Sequence, residues 1–511
     1  MVPYEKRRVW KGMVAYMNEY ERTASCITQV TQREPYLTGE GVIVAVLDSG
    51  IDYFLPEFRK GNETRILAIW DQSASPDEQA GLLPPQGYNI GVLYTREMIN
   101  EALALGREEG AKKVPVFDYS GHGTAVTAVA AGTDSGVAAG ADILVVKLGT
   151  SSPEGFPRTT QLMRGIDFCV KLGVELNRPV ALNISFGNTY GDHQGNSLLE
   201  RFIDNASEIG RSVIVVGSGN EGTSNGHTAG VALSQKRVEF SIAAYETGMS
   251  VQLWKYAQDI MDMTLVSPSG ERVIFPLSGE NTARTVRQRL ENTTLLCYLG
   301  EPLPYNMTQE IFIDMIPQDT YVDSGVWSIV LSPVNVVTGE YRFYLPSYAV
   351  RNRGTGFFLP TPEMTLTIPS TARRAVTVGA YDVSLRSYAD FSGRGYVYRY
   401  DGGRSDTVGE GQIVADVKPE LLAPGVNITV PMPNGGYEQV SGTSFAAPFV
   451  TGAAALMMEW GIVRGNDRFL YGERVKALLV KGTKVLPGAP NRPNSQAGWG
   501  TLCLERSLPR G

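Results

Sequence analysis

The chain has 511 residues, 43% of them hydrophobic and 9% aromatic, and Lys+Arg 46 against Asp+Glu 53 leaves a formal charge of −7. That content buries a sizeable core and excludes wholesale disorder, while a mildly acidic chain without a basic block lacks the electrostatic footprint of a nucleic-acid binder. At about 150 residues per domain, the length corresponds to roughly three domains, or to one large domain with insertions.

Residues 1–40 are charged and show no periodicity. Met1 to Arg8 carry charge with no apolar stretch behind them, so no signal peptide is expected in the chain as given. No apolar run approaches the roughly 18 residues of a membrane helix, and no membrane association is expected. Val42-Ile43-Val44-Ala45-Val46-Leu47 is a continuous β-branched and apolar run, the pattern of a strand buried on both faces of a parallel sheet. Similar runs recur at 143–146, 180–184, 213–216 and 375–378, and helical segments are expected over 122–131, 161–176 and 197–209. This alternation predicts an α/β fold with a doubly wound, mostly parallel sheet, whose functional groups gather at the C-terminal strand ends.

Between residues 229 and 366 helical periodicity gives way to short alternating stretches, such as Val251-Gln252-Leu253-Trp254 and Val326-Trp327-Ser328-Ile329-Val330, punctuated by turns such as Ser267-Pro268-Ser269-Gly270. An inserted all-β sandwich or jelly roll is expected there. The resulting division is an N-terminal extension over 1–20, an α/β domain over 21–228 and 367–511, and the β insertion over 229–366. Arg399–Glu410 is expected to be a surface loop. The four cysteines, Cys26, Cys169, Cys297 and Cys503, are scattered without a CxxC pair, which fits a reduced interior better than a disulfide framework or a zinc site.

Four segments carry groups capable of chemistry. Asp48 ends the apolar run 42–47, where burying a carboxylate is costly unless it is paired. His122 lies between glycines in Asp118-Tyr119-Ser120-Gly121-His122-Gly123-Thr124, at the start of a small-residue helix. Ser444 opens an Ala-rich helix in Ser441-Gly442-Thr443-Ser444-Phe445-Ala446-Ala447-Pro448, beside free backbone N–H groups, with Pro448 read as part of the first turn. Together they supply a nucleophile, a base and an orienting carboxylate in the order Asp…His…Ser, one of the orders used by convergent serine hydrolases. Asn220 ends the run 213–216 in Gly217-Ser218-Gly219-Asn220-Glu221-Gly222, and its amide with the Ser444 N–H would hold an oxyanion, a donor typically contributing about 3–4 kcal/mol. Taken singly, each has an ordinary explanation as a cap or turn residue. Their joint occurrence at strand ends and helix starts does not. His193 and His227 lie in polar Gly/Asn-rich stretches and are expected on the surface, and no ligands at metal-binding spacing accompany them. Gly222-Thr223-Ser224-Asn225-Gly226 matches the nucleophile elbow of α/β-hydrolases, but no acid and His follow in order and the next residues read as a loop, so it is set aside.

These four segments resemble the signatures of the subtilisin-like serine proteases, or subtilases, over roughly residues 35–228 and 366–505. The resemblance implies catalytic Asp48, His122 and Ser444, with Asn220 in the oxyanion hole. It further implies a substrate-binding strand at Asn183-Ile184-Ser185-Phe186-Gly187, so that Ser185, Phe186 and Gly187 line the substrate, and a specificity-pocket wall at Gly217, Ser218 and Gly219. Residues 94–103 and 459–466 are similar to the clostridial Csp-like subtilases, which carry a jelly-roll insertion between the oxyanion Asn and the nucleophile. Ala125 and Phe445 depart from the usual His and Met. Only residues 1–20 precede the expected catalytic domain, so the family's long prodomain is expected to be missing, trimmed or replaced by a short segment. The implied function is a serine endopeptidase working through an acyl-enzyme. The alternative is a catalytically silent pseudoprotease acting as a regulator or sensor, whose usual sign, a lost triad member, is not met here. The implied partners are a polypeptide substrate, and a prodomain or inhibitor in the same cleft. No cofactor is expected: structural calcium is common in such relatives, but no convincing ligand set is present. With no export signal, the expected location is the cytoplasm or a spore compartment, and secretion only if a leader is missing from the chain.

Overall fold

The computed structural model describes residues 18–149, 157–275, 285–303, 306–400, 413–489 and 491–509, with the short strand Arg7–Arg8. The chain separates into two compact units, one formed by Tyr4–Gly187, Leu198–Gly219 and Pro369–Gly511, the other by Asn188–Ser197 and Asn220–Ile368.

The first unit is built on a nine-stranded sheet. Its strands are β1 (Ile43–Asp48), β2 (Ile66–Asp71), β3 (Val92–Thr95), β4 (Asp142–Lys147), β5 (Val180–Ile184), β6 (Ser212–Gly217), β7 (Val376–Asp382), β8 (Ser387–Tyr388) and β9 (Leu421–Pro424). The order is β8-β7-β6-β5-β1-β4-β2-β3, with β9 paired to β7. All neighbours run parallel except β2–β3 and β7–β8. The continuous apolar run has a simple cause. Val44 and Val46 enter one core with helices α1 (His122–Ala131) and α4 (Thr443–Met458), while Ile43, Ala45 and Leu47 enter another with α2 (Thr159–Glu175) and α3 (Leu198–Ala206). A strand with helices on both faces must be apolar on both. The expected α/β class with a mostly parallel sheet is the one observed.

Among its described residues, the second unit is all-β but for one short 3₁₀ turn, Tyr348–Val350. One antiparallel sheet contains His227–Val231, Glu340–Tyr344, Met249–Tyr256, Thr308–Pro317, Thr293–Leu299 and Thr285–Arg289. The other contains Arg272–Phe275, Ile260–Val266, Gly325–Asn335, Lys236–Ile242 and Gly356–Phe357. Residues of both, such as Val251, Ile313 and Phe343 of the first and Phe240, Met263 and Ile329 of the second, share one core. Extra all-β sheets therefore accompany the α/β part.

Several expectations are corrected. Cys26 and Cys503 form a disulfide with Cα atoms 4.7 Å apart across a separation of 477 residues, a proximity that spacing along the chain cannot express. Cys169 and Cys297 are free and buried, and burial pushes both thiols up, Cys297 to about 12. Residues 18–31 are not patternless: they hold the short helices Glu19–Ala24 and Thr28–Thr31. His193 and His227 are buried, 1% and 3% exposed, stacked on Tyr344 with ring centroids 3.9 and 4.5 Å away. The Gly222–Gly226 elbow is followed by the strand His227–Val231. Of the expected loop Arg399–Glu410, Arg399 belongs to the strand Tyr396–Tyr400, and 401–410 lie outside the described residues. Thr443–Val463 is long and apolar enough by composition to cross a membrane. However, 83% of that window is buried inside the protein, as in a core helix.

Candidate active site

Asp48 is the last residue of β1, 3% exposed. Its Oδ1 accepts from the Ser49 N–H at 2.7 Å and lies 2.7 Å from His122 Nδ1, while Oδ2 is buried without a partner among the described residues. His122 is the first residue of α1, and its side chain is 16% exposed. The acceptor at Nδ1 fixes the tautomer that leaves Nε2 free to take a proton. Burial, the largest single influence on the imidazole, opposes its charge. The Asp48 charge and hydrogen bond, together with the Asp118 charge, outweigh it and raise the pKa above the ordinary 6.5.

Two glycines make this juxtaposition possible. Gly121 holds φ +74° as the residue capping α1, a left-handed conformation costly for other residues. At Gly123 a Cβ would collide with the Gly50 carbonyl and meet Asp48 Cβ at 3.1 Å, so only glycine lets the helix approach the turn after β1.

Asp118 is a residue whose role sequence reasoning missed. It is 5% exposed and supplies the acceptors that the start of α1 lacks. Oδ1 accepts from Gly121 N at 2.9 Å, Ser49 Oγ at 2.8 Å and Ser120 Oγ at 3.1 Å, and Oδ2 accepts from Thr124 N at 2.8 Å and Thr124 Oγ1 at 2.7 Å. It thus caps the helix bearing His122 and ties that helix to the turn following Asp48. An acid four residues before a Gly-flanked His was the available signal.

Ser444 is the second residue of α4 and half-exposed. Its neighbour Phe445 lies against the His122 ring, centroids 5.6 Å apart. Ser444 Oγ donates to the Ser185 carbonyl at 3.4 Å, and Ser185 Oγ donates to the Ser444 carbonyl at 2.9 Å. Pro448 sits in the second turn of α4, not the first. It has no N–H for the Ser444 carbonyl four residues earlier, and the Ser185 hydroxyl occupies that place. Ser185 is held in turn by Asn183 Nδ2 at 2.8 Å, and Asn183 Oδ1 accepts from Thr451 Oγ1 at 2.9 Å.

Ser185, Phe186 and Gly187 leave the end of β5, and Gly217, Ser218 and Gly219 leave the end of its parallel neighbour β6. Ser218 is fully buried with its hydroxyl 3.2 Å from that of Ser392. The Gly219 N–H donates to Thr443 Oγ1 at 3.0 Å, and the Gly219 carbonyl accepts from Gly393 N at 2.8 Å. Asn220 follows directly, half-buried, and belongs to the second unit. Among the described residues, no three or more His, Cys, Asp or Glu side chains gather where they could hold a metal ion.

The Subtilase family (peptidase S8) model matches residues 39–287 and 353–500. The chain is 24% identical over 506 residues to the minor extracellular protease Vpr of Bacillus subtilis (strain 168), covering 92% of this chain and 52% of Vpr. It is 22% identical to the PII-type proteinase of Lactococcus lactis subsp. cremoris, covering 86% of this chain and 24% of that protein. It therefore spans about half the length of the one and a quarter of the other. Among solved structures it is similar to the CspB protease of Clostridium perfringens, with 33% identity and a TM-score of 0.82 over 95% of this chain and 96% of that one.

Proposed function

The chain belongs to the subtilase family, and on that premise we propose that it is a serine endopeptidase in which Ser444, His122 and Asp48 form the catalytic triad. The observation that carries this reading is the 2.7 Å contact between Asp48 and His122 Nδ1, with the ring set against the residue that follows Ser444. Ser444 Oγ attacks the scissile carbonyl of a polypeptide as His122 Nε2 takes its proton. The imidazolium that forms is stabilised by Asp48. The tetrahedral oxyanion is assigned to the Ser444 N–H and the Asn220 amide. Collapse returns the proton to the leaving amine and leaves Ser444 acylated, and water, deprotonated by His122, completes hydrolysis.

Turning Ser444 Oγ from the Ser185 carbonyl toward His122 gives up only a long 3.4 Å hydrogen bond, so the resting hydroxyl is weakly held. Ser185, Phe186 and Gly187 are assigned to the substrate backbone, and Gly217, Ser218 and Gly219 to the wall of the specificity pocket. A prodomain or inhibitor would occupy the same cleft. A fluorophosphonate probe should label the wild-type protein and fail on Ser444→Ala. Equal labelling of the two would remove the assignment.

A further inference from the structure

Asn220 and Glu221 are bounded by Gly219 and Gly222, residues that give the backbone little stiffness of its own. A donor for an oxyanion must nevertheless be held in place before the charge develops. On one side the backbone is pinned at Gly219, whose N–H and carbonyl are both engaged. On the other side stands Glu221, in a position that reads as part of an exposed Gly-rich turn. Its side chain is instead 7% exposed. Glu221 Oε1 accepts from Ser347 Oγ at 2.6 Å and from the Tyr348 N–H at 3.1 Å, and Oε2 lies 3.3 Å from the same N–H and 3.9 Å from Arg351 Nη2. The Arg351 side chain is 1% exposed and fixed in turn, with Nη1 donating to the Thr355 carbonyl at 2.8 Å and Nη2 to the Ser224 carbonyl at 3.1 Å. The Leu345 N–H donates to the Gly226 carbonyl at 2.9 Å, closing the same segment against the far end of the turn.

We propose that Ser347, Tyr348 and Arg351, all contributed by the all-β unit, are positioning residues for the peptidase reaction: by clamping Glu221 they fix the backbone of Asn220 and hence the direction of its amide. A buried carboxylate with two hydrogen-bond donors and a guanidinium, on a residue peptide-bonded to the proposed oxyanion donor, is a rigid attachment for a turn that glycines would otherwise leave loose. This inference rests on the assignment of Asn220 in the proposed function.

The test uses the full chain and a fluorophosphonate, whose phosphoryl oxygen needs the same stabilisation as a peptide oxyanion. Its maximal labelling rate (kinact) and half-saturating concentration (KI) are measured separately. Asn220→Ala should lower kinact by about 100-fold. Ser347→Ala and Glu221→Gln should each lower kinact by roughly tenfold with KI unchanged, the loss expected when a group is displaced by a fraction of an ångström. Ser347→Thr, which restores the hydroxyl, should recover most of the rate. In the Asn220→Ala background, Ser347→Ala should cost nothing further, because the group it positions is gone. A purely structural role would leave kinact of the folded variants at the wild-type value, or would lower it by the same factor with and without Asn220; either result overturns the clamp. If Asn220→Ala labelled at the wild-type rate, the oxyanion assignment itself would fall, and the clamp with it.

Discussion

Replacing Asp118 with Asn separates two effects of one buried carboxylate, because they move in opposite practical directions. The carboxylate accepts five hydrogen bonds, two of them from backbone N–H groups at the start of α1 that have no helical acceptor. An amide keeps one accepting oxygen and turns an N–H₂ toward donors, so at least one buried donor is orphaned at roughly 1–3 kcal/mol. Losing a negative charge at a helix N-terminus adds roughly 0.3–1 kcal/mol, for a destabilisation of about 1–4 kcal/mol. The same charge helps to keep His122 protonated. Removing it lowers the pKa of the imidazole, and since the proposed base must be neutral, the acidic limb of the pH profile of kcat/KM moves to lower pH. The variant should therefore unfold at a lower denaturant concentration and yet retain activity further into acid. Equilibrium denaturation and a pH–rate profile with a cleavable peptide measure the two. A wild-type denaturation midpoint together with an acidic limb that stays in place or moves upward would refute both the cap and the electrostatic coupling.

The paired histidines on Tyr344 make the second unit acid-sensitive. Burial, opposed by backbone acceptors, depresses His193 to about 4 and His227 to about 3, so between these values and 6.5 the unfolded chain binds more protons than the native one. Their contribution is fully present above pH 6.5 and declines as pH falls toward 4, by about 3 kcal/mol for His193 alone at 1.36 kcal/mol per unit. Unfolding midpoints between pH 7.5 and 4.5 should show this slope, and His227→Gln should flatten it; a slope unaltered in the variant would contradict it. The Cys26–Cys503 bond predicts that alkylation of the denatured, unreduced protein modifies two cysteines rather than four. Cys503→Ala should lower stability by about 2–5 kcal/mol, the usual range for a bond closing so long a loop. Four modified cysteines would show that the pair is not joined.

The elements were legible wherever a local period reports burial. The run 42–47 is apolar at every position because helices cover both faces of β1, and the alternation near Val251 picks out Val251 and Leu253 of the all-β core, although the polar Gln252 between them is buried too. Asp48 and His122 stand out for the same reason, as polar breaks in otherwise apolar or small-residue patterns. What was not legible depends on partners far away in the chain. His193 lies in a Gly/Asn-rich stretch that looks solvated, and is buried by Tyr344 and the carbonyl of Leu366, 173 residues on. Glu221 looks like a turn residue, and its partners begin 126 residues later. Composition describes the segment, whereas burial is decided by what another segment brings to it.

Pro448 shows how a local irregularity and a site are linked. Reading it as a first-turn proline made it harmless, because first-turn N–H groups have no acceptor to lose. The helix begins at Thr443, which puts the proline in the second turn, where it leaves the carbonyl of Ser444 without a helical donor. An unpaired carbonyl at a helix start costs roughly 1–3 kcal/mol unless something replaces the donor. The replacement is the Ser185 hydroxyl at 2.9 Å, from a strand end assigned to substrate. Each serine therefore bonds the carbonyl of the other, one tightly and one at 3.4 Å. The tight contact fixes the backbone from which Ser444 Oγ projects, and the loose one leaves that oxygen free to turn. A sequence that breaks a helix rule four residues after its proposed nucleophile has used the break to hold the backbone and release the side chain, the combination that nucleophilic attack requires.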